Sequence, residues 1–263
     1  MAQAGGTGSR AQARERTMAR ILDLGREQLI EQGPAGLSVR EIARGLGMVS
    51  SAVYRYVASR DDLLTLLIAD AYTDLADAVD RALAQSGPEG GVGDGDGAPT
   101  CAPTAPPPPD GLDDVDRAPP RTRFLALAEA MLDWALAHPE RWTLLYGTPV
   151  RGYDAPAAAT TPPGTRVMGR VLEIVAAADP AAFPGHAAEE LPEPVRAWLA
   201  AGAAEVGVAA APATVLQALT LWNGLVGTIT AQVFGQMGPE AAALDGALPR
   251  LQLRLLADRL VPR

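Results

Sequence analysis

The sequence has few of the residues on which metal sites and disulfide frameworks depend. Its 263 residues include one cysteine and two histidines, and all 22 basic side chains are arginine. One cysteine cannot form a disulfide framework or a cysteine-based zinc cluster, and two distant histidines offer little for a multi-histidine metal site. We therefore expect no metal and no other cofactor. Residues 1–16 lack an apolar stretch, so we expect no secretory signal and a cytoplasmic location.

Acidic residues outnumber basic ones, but the excess is uneven along the chain. The formal net charge is −9, from 31 acidic and 22 basic residues. Residues 1–60 contain nine arginines and five acidic residues, a net +4, whereas the rest of the chain carries −13. A basic amino-terminal part on an acidic body is expected where only that part binds a polyanion, although flexible basic tails are also common.

The segment at 86–120 has a composition unlike that of its neighbours. It contains seven glycines, nine prolines and seven acidic residues, against one arginine. Such a composition does not support a packed element. We interpret 86–120 as a disordered, extended acidic linker or insertion, and Cys101 within it as incidental.

Outside this linker, apolar residues recur at the three- and four-residue spacings typical of α-helices. Before the linker, the pattern and its capping signals predict a helix up to Gly33-Pro34, a helix from the capping box Ser38–Glu41 to Gly47, a short helix at 50–57 and a helix capped by Ser59. After the linker, it predicts a helix that is marked by apolar residues from Phe124 to Ala135 and ends near His138-Pro139, a loop at 148–163, and helices at 141–146, 165–178, 193–206, 213–236 and 239–260. No alternating strand pattern appears, so the predicted fold class is all-α.

Residues 206–239 contain no charged side chain, which is also compatible with a membrane span. Several glutamine, asparagine and threonine residues, and Pro212 near the start, argue against a span. The apolar residues recur at alternating spacings of four and three, at Val215, Leu219, Trp222, Val226, Ile229 and Val233. This stripe predicts a packing seam on a helix that is buried on several sides.

The two short helices around Gly47 have the spacing of a helix-turn-helix, in which Gly47 permits the tight turn. The residues predicted to face inward are Ile42, Ala43, Leu46, Val53 and Val57. In such a unit the second helix enters the major groove of DNA, where short hydroxyl and methyl side chains approach base edges and tyrosines reach phosphates. The same geometry occurs in helical proteins that do not bind DNA, in which Tyr54 and Tyr56 would be core aromatics.

The stretch LSVREIARGLGMVSSAVYRYV (residues 37–57), followed by SRDDLL (59–64) and preceded by the helix at 16–32, resembles the TetR family of bacterial transcriptional repressors. The resemblance covers about residues 14–80. It implies a homodimer with amino-terminal DNA-binding heads and a helical body that binds an effector. The domain layout predicted on this basis is a disordered tail at 1–13, a helix-turn-helix domain at 14–60, a connecting helix at 61–85, the linker at 86–120, and an effector-binding and dimerisation domain at 121–263.

Matching this chain to the family by position implies a set of DNA contacts. Arg40 lies near the duplex, the three residues from Ser50 to Ala52 face bases, and Tyr54 and Tyr56 contact the DNA backbone. Arg60 stands where the family usually has a phosphate-binding lysine, and Arg55 either touches a phosphate or is solvated. The predicted DNA-binding residues are thus Arg40, Ser50, Ser51, Ala52, Tyr54, Arg55, Tyr56 and Arg60.

The second half resembles, less specifically, a C-terminal domain of some actinobacterial members of the family, in the motifs WALAHP (134–139), WTLLYGTP (142–149) and Gly152-Tyr153. This domain implies an effector cavity without identifying the ligand. The predicted effector-binding residues are Trp134, His138, Trp142, Tyr146, Tyr153 and Asn223, with Thr230 as a further candidate. Each is also compatible with an ordinary core in which tryptophan and tyrosine find hydrogen-bond partners.

Leucines at 244, 248, 251 and 255 repeat the four–three–four spacing near the end of the chain. As the resemblance implies, residues 213–236 and 239–260 are predicted to form the homodimer interface, an intersubunit four-helix bundle. The predicted function is a sequence-specific regulator that binds double-stranded operator DNA and is released by a small molecule, with no membrane partner. The alternatives are a helical enzyme, for which no nucleophile–base pair stands out, and a protein-interaction adaptor without DNA binding.

Overall fold

The structure is a computed structural model that describes residues 6–87, 118–178, 191–244 and 246–260, and these form helices without any strand, as the predicted all-α fold requires. The α-helices are α1 (Gly6–Gln32), α2 (Val39–Gly45), α3 (Ser50–Val53), α4 (Arg60–Gln85), α5 (Pro120–Ala137), α6 (Pro139–Tyr146), α7 (Ala157–Gly164), α8 (Arg166–Ala176), α9 (Glu193–Glu205), α10 (Pro212–Val233), α11 (Pro239–Ala242) and α12 (Ala247–Ala257). Short 3-10 helices lie at Pro34–Gly36 and Asp258–Leu260. Most of the predicted linker at 86–120, with Cys101, lies outside the described residues.

Helices α1 to α3 and the first half of α4 enclose one apolar core, which we call the head. Its buried residues are Ile21, Leu29, Leu37, Val39, Ile42, Ala43, Val53, Val57, Leu63, Leu64, Leu67 and Ile68. Four of the five residues predicted to face inward in the helix-turn-helix belong to this set, whereas Leu46 is half buried.

The start of α2 is fixed by hydrogen bonds on both sides of Ser38. The Ser38 hydroxyl accepts the backbone N–H of Glu41, as expected for a capping residue. The backbone N–H of Ser38 donates to the side-chain oxygen of Gln28 at 2.8 Å, and not to Glu41 as the capping box predicted. The buried amide of Gln28 therefore ties α2 to α1.

Helix α4 belongs to both the head and the remaining helices, which we call the body. Ser59 caps it by accepting the N–H of Asp62 at 3.0 Å. The first turns of α4 carry Leu63 and Leu67 in the head core, and its later turns carry Leu75 and Val79 in the body core. A single helix of 26 residues therefore connects the two cores rigidly.

The body core lies where α4, α5, α8 and α10 pack together, with α6, α9 and α12 around them. Its largest fully buried side chains are Leu75, Phe124, Leu127, Met131, Leu132, Trp142 and Leu172. Of the predicted stripe of α10, Val215 and Ile229 are buried in this core, whereas Leu219, Trp222, Val226 and Val233 pack against it half buried. The buried face of α10 consists of Val215, Ala218, Leu221, Leu225 and Ile229, so it follows the predicted seam only in part.

Two segments that were predicted to lack secondary structure contain helices. The predicted disordered tail at 1–13 is corrected over 6–13, because α1 begins at Gly6. The predicted loop at 148–163 contains most of α7. Its alanines favour a helix, and α7 packs against α4 so closely that a Cβ on Gly164 would lie 3.3 Å from the Tyr72 ring. This packing stabilises the helix although Pro162 and Pro163 lie inside it.

Two predicted helices are too long. The helix predicted at 50–57 ends at Val53, because the Tyr56 N–H bonds to the Val53 carbonyl three residues earlier and the regular ladder is lost. The helix predicted at 239–260 is divided into α11 and α12, since Gly246 takes up a left-handed conformation with φ of 75°.

In the part of the chain that the structure describes, no helix is both long enough and apolar enough to span a lipid bilayer. The uncharged stretch at 206–239 contains all of α10, which packs against α5, α8, α9 and α12.

Candidate functional site

The turn between α2 and α3 is closed by two backbone hydrogen bonds. The N–H of Gly47 donates to the carbonyl of Arg44 at 3.0 Å, and the N–H of Met48 donates to the carbonyl of Ala43 at 2.9 Å. This pair of bonds is a Schellman motif, and it requires the left-handed conformation that Gly47 adopts, with φ of 64°. The angle between α2 and α3 is therefore set by local backbone geometry.

The residues predicted to contact DNA lie on or beside the outward face of this helix-turn-helix. Arg40, Ser51, Tyr54 and Arg55 are exposed, and Ser50, Ala52, Tyr56 and Arg60 are half buried. Val53, between them, is fully buried in the head core. Val53 thus anchors α3 in the head core, and of the short side chains before it Ser51 is the exposed one.

Two of the predicted DNA contacts also have partners within the chain. The Tyr56 ring lies under the guanidinium of Arg14 from α1, with 5.2 Å between the guanidinium carbon and the ring centroid. Arg60 donates to the carbonyl of Pro34 at 2.7 Å and pairs with Asp61 at 3.3 Å. Arg60 therefore holds the turn before α2 in place, a role that the sequence did not indicate.

Val49 and Arg14 belong to this surface but were not among the predicted contacts. Val49 precedes α3 and is 72% exposed, which is unusual for a valine beside a well-packed core. A methyl-bearing side chain in this position suits a thymine methyl group. The apolar character of Val49 is visible in the sequence, but its exposure follows only from the geometry of the turn.

In the body, Trp134 and Arg141 meet at Asp74. The indole N–H of Trp134 donates to Asp74 Oδ2 at 3.0 Å, and Nη1 of Arg141 donates to the same oxygen at 2.6 Å. Burial alone raises the pKa of Asp74, but the hydrogen bond from Trp134 and the charge and hydrogen bond of Arg141 outweigh it, so the pKa lies below its usual value. Trp134 is therefore a hydrogen-bonded structural residue, whose ring also lies 5.1 Å from the Arg141 guanidinium.

The same arginine links the body to the head through Asp70 of α4. Arg141, only 6% exposed, donates from Nη2 to Asp70 Oδ2 at 3.0 Å. Arg26 of α1 donates to both oxygens of Asp70, at 2.7 Å to Oδ1 and 2.8 Å to Oδ2. We call Arg26, Asp70, Arg141 and Asp74 the junction network. It lies beside an open polar cleft of about 520 Å³, onto which His138 also opens.

A second aromatic group lies deeper in the body. The rings of Trp142 and Tyr146 are 4.4 Å apart, and Tyr146 also contacts Tyr72 of α4 at 6.3 Å and Trp222 of α10 at 6.1 Å between ring centroids. We call these four residues the aromatic cluster. Trp142 is fully buried, and its indole N–H donates to the Thr230 hydroxyl at 3.2 Å. Thr230 is thus the partner of a core tryptophan.

Tyr72 and Tyr146 contribute the hydroxyl groups of the aromatic cluster, and both side chains are half buried. Neither hydroxyl is among the buried side-chain atoms of the described residues that lack a hydrogen-bond partner. Burial raises the pKa of both phenols, so both remain neutral donors. Apolar walls with a few hydrogen-bonding groups are the features of a small-molecule site.

The structure separates the predicted effector residues instead of gathering them. Trp142 and Tyr146 lie in the aromatic cluster, whereas Trp134 and His138 lie together near the junction network, with 5.3 Å between their ring centroids. Tyr153 packs against the head core, and its hydroxyl shares a hydrogen bond of 2.8 Å with Thr65 of α4.

Asn223 is exposed, on the face of α10 opposite its buried stripe, so its prediction as a cavity residue is corrected. A polar residue in an apolar helix is expected to face a polar environment, which can be a ligand site or solvent. In the single chain, Asn223 faces solvent. Tyr72 and Trp222 were missed as members of the cluster, because they come from helices distant in sequence.

Comparisons with known proteins match both parts of the chain. Residues 21–67 match the family described as bacterial regulatory proteins, tetR family, and residues 124–255 match the tetracyclin repressor-like C-terminal domain. The chain is 41% identical over 256 residues to the HTH-type transcriptional regulators Rv1816 of Mycobacterium tuberculosis (strain ATCC 25618 / H37Rv) and Mb1846 of Mycobacterium bovis, covering 97% of each protein.

Solved structures show the same fold. The regulatory protein SCO4313 superposes with a TM-score of 0.66 at 27% identity, covering 94% of this chain and 97% of that one. A protein of unknown function from Rhodococcus sp. RHA1 superposes with a TM-score of 0.58 at 21% identity, covering 93% of both chains, and supports the fold alone.

The alternatives left by the sequence are decided by these matches. The matching family is one of transcriptional regulators and not of enzymes, so the helical enzyme is excluded. The helix-turn-helix lies within the matched amino-terminal region, and the body within the matched carboxy-terminal one. The chain therefore belongs to the TetR family and is a helix-turn-helix transcriptional regulator.

Proposed function

We propose that this regulator is a repressor that a small molecule releases from its operator. The observation that carries the proposal is the aromatic cluster, in which the half-buried Tyr72 and Tyr146 place their hydroxyls beside the apolar rings of Trp142 and Trp222. A ligand with an apolar body and one polar group would satisfy them. Because the target is chromosomal DNA, the proposed location is the cytoplasm.

The proposed operator contacts are the exposed and half-buried residues of the helix-turn-helix. Ser50, Ser51 and Ala52 approach base edges from α3, and Tyr54 reaches the DNA backbone. Arg40, at the start of α2, is exposed and adds a cation to the same surface.

The proposed quaternary structure is a homodimer through α10 and the α11–α12 segment. In the single chain, three leucines of this segment are exposed: Leu244, Leu251 and Leu255. The outward face of α10 beside them carries the small or polar residues Thr220, Asn223 and Gly227, which allow another helix to approach. Binding of such a dimer to successive major grooves requires its two recognition helices to lie one DNA turn apart, at about 34–36 Å.

The proposed route from ligand to operator runs through α4. Tyr72, in the aromatic cluster, lies between Asp70 and Asp74 of the junction network on this helix. A ligand that displaces α6 or Tyr72 would change the packing of α4 against the head, and so favour a state with a different spacing of the two heads. The ligand must bind this second state more tightly than the operator-binding state. The ratio of its two affinities sets the largest factor by which it can lower operator affinity.

DNA binding is tested with a labelled duplex from the region upstream of the chain's own gene, measured by gel shift and fluorescence anisotropy. Wild type is expected to bind, and the Arg40→Ala/Tyr54→Ala variant to lose binding. The matched control, Arg81→Ala/Trp198→Ala, also removes one exposed arginine and one exposed aromatic ring but lies in α4 beyond the head and in α9. Failure of wild type to bind any duplex would overturn the proposal.

Ligand response is tested in a second experiment. Small apolar and aromatic compounds that each carry one hydroxyl, amide or carboxyl group are screened for an increase in melting temperature, since ligands stabilise the folded state by mass action. Those that bind are expected to release wild type from the duplex, and Tyr146→Phe to weaken their binding without weakening operator affinity. Saturating ligand that leaves operator affinity unchanged would contradict release.

A further inference from the structure

The first half of α1 has no core of its own to stabilise it. Helix α1 has 27 residues, but among those whose burial is described, from Arg10 onwards, Ile21 is the first fully buried one, and residues 10–16 are exposed. The match to the amino-terminal family region also begins only at residue 21. Residues 6–20 are therefore an extension, about 22 Å long, that neither the head core nor the family match accounts for.

This extension is strongly basic. It carries Arg10, Arg14, Arg16 and Arg20 against the single acid Glu15, and all four arginines are exposed. Within the described residues, none of the four guanidinium groups forms an ion pair, whereas Arg26 further along α1 is paired with Asp23 and Asp70. Four unpaired cations on one short segment indicate an anionic partner outside the chain.

The arginines of the extension lie on two different faces of α1. At about 100° per residue, Arg10 and Arg14 lie within about 20° of Ile21, the residue that enters the head core. Arg16 and Arg20 lie about 140° and 100° away from Ile21. The Arg10–Arg14 face therefore continues the side of α1 that packs on the helix-turn-helix.

The contact between Arg14 and Tyr56 places this face beside the proposed DNA surface. The guanidinium carbon of Arg14 lies 5.2 Å from the ring centroid of Tyr56. Tyr56 follows Val53, the buried residue of α3, by three positions. Stacking on a ring holds the guanidinium plane in position while its edge N–H groups stay free to donate. A phosphate is a suitable acceptor for such an edge.

We propose that the face of α1 carrying Arg10 and Arg14 is a second DNA-binding element, which contacts phosphates of the duplex next to the half-site occupied by α3. The inference rests on the proposed DNA-binding function and adds contacts to it. Since phosphate contacts carry no base information, the element raises affinity for all duplexes and leaves discrimination between them to α3.

The test compares wild type with Arg10→Gln/Arg14→Gln and with Arg16→Gln/Arg20→Gln, which remove the same charge from two faces of one helix. Binding to the upstream duplex and to an unrelated duplex is measured between 50 and roughly 300 mM salt, a range in which phosphate contacts dominate the salt dependence. Each lost phosphate contact is expected to reduce the slope of log K against log salt by about 0.9, hence about 1.8 per head for Arg10→Gln/Arg14→Gln.

Arg10→Gln/Arg14→Gln is expected to bind both duplexes more weakly, with an unchanged ratio between them, and Arg16→Gln/Arg20→Gln to keep nearly the wild-type slope. Melting temperatures of both variants check that the exposed substitutions leave the head folded. Operator binding with equal slopes in the two variants would overturn the inference alone. Absence of wild-type binding to any duplex would instead overturn the proposed function, and this inference with it.

Discussion

Arg26 of the head and Arg141 of the body bind the same carboxylate, that of Asp70. Arg26 Nη2 lies 2.7 Å from Oδ1, and Arg141 Nη2 lies 3.0 Å from Oδ2. Asp70 is on α4, which contributes to both cores, so three elements of the two parts meet at one side chain. The buried arginine also holds Asp74 one turn later, which fixes α6 against α4 at two points.

The first prediction concerns the stability that this junction provides. Arg141→Gln removes the ion pairs to Asp70 and Asp74 and is expected to lower the free energy of unfolding by about 2–3 kcal/mol, since Arg141 is buried while its partners are partly exposed. Chemical denaturation measures the change. Hydrogen exchange is expected to accelerate at both ends of α4.

Arg250→Gln is the matched control for Arg141→Gln. It removes a salt bridge to Asp133 in which both side chains are exposed, and pairs of this kind contribute less than about 1 kcal/mol. Equal destabilisation by the two substitutions would show that burial of Arg141 adds nothing.

The second prediction concerns acid unfolding. The pKa of Asp74 in the folded state lies below its ordinary value, so the carboxylate contributes stability above the unfolded pKa of about 3.9, and this contribution is lost as pH falls through the folded pKa. The free energy of unfolding is therefore expected to fall with decreasing pH in this acidic range.

Two variants check the assignment to Asp74. Asp74→Asn abolishes its part of the pH dependence, and Trp134→Phe, which removes one hydrogen-bond donor, brings the folded pKa closer to the unfolded one and reduces that part. The decrease in stability from pH 5 to pH 2 (roughly the range in which carboxylates titrate) is expected to be largest in wild type and smallest in Asp74→Asn. Burial raises the pKa of Asp80, but the hydrogen bonds of Arg170 and Arg166 outweigh it, so this pKa is also lowered. Asp80 therefore accounts for part of the pH dependence of stability that remains in Asp74→Asn. An unchanged slope in Asp74→Asn would refute the assignment.

Most of the fold could be predicted from the sequence because helices of this chain carry their own signals. The apolar period of α4, its serine cap and the glycine after α2 are all local, and each lies where it was predicted. The sequence did not predict helix α7 or the division between α11 and α12, because neither is determined by a local sequence signal. Helix α7 depends on its close packing against Tyr72, and the left-handed conformation of Gly246 divides a segment that was predicted as one helix.

The site divides in the same way. The helix-turn-helix is a continuous segment, so most of its exposed residues could be predicted from spacing and from the family resemblance, whereas the exposure of Val49 could not. The body site is made by residues far apart in the chain, such as Arg141 with Asp70, which are 71 positions apart. A list of aromatic residues in one segment therefore mixed a structural tryptophan, Trp134, with Tyr146 of the aromatic cluster.

The third prediction concerns the turn of the helix-turn-helix. Gly47→Ala forces a Cβ into the left-handed region at φ of 64° and is expected to destabilise the protein by about 1–2 kcal/mol, although no neighbouring atom blocks the space. Gly202→Ala is the matched control, since Gly202 is within α9 and also has open space around it.

In an ordinary helical conformation, the added methyl of Gly202→Ala is expected to stabilise by about 0.5–1 kcal/mol. Thermal unfolding of the two variants measures whether each substitution stabilises or destabilises the protein. Operator affinity of Gly47→Ala is expected to fall as well, because the Schellman hydrogen bonds that orient α3 need this conformation. Stabilisation by Gly47→Ala would show that the turn does not depend on the glycine.

The fourth prediction concerns the proposed dimer. Leu251→Glu/Leu255→Glu places charges on the exposed apolar face of α12, where Leu255 is 68% exposed in the single chain. Burying one leucine contributes about 1.5–3 kcal/mol, and twofold symmetry doubles the loss, so this variant is expected to sediment as a monomer when wild type sediments as a dimer.

Trp198→Gln is the control for Leu251→Glu/Leu255→Glu, because Trp198 is 66% exposed but lies on α9, which is not one of the helices of the proposed interface. It is expected to stay dimeric. Two heads on one dimer bind adjacent grooves as a linked pair, and separated heads lose the advantage of effective concentration. The monomeric variant should therefore bind the upstream duplex at least 100-fold more weakly, on the order expected when linkage is lost. Tight binding by a monomeric variant would contradict this prediction, because it would show that each head recognises its half-site alone.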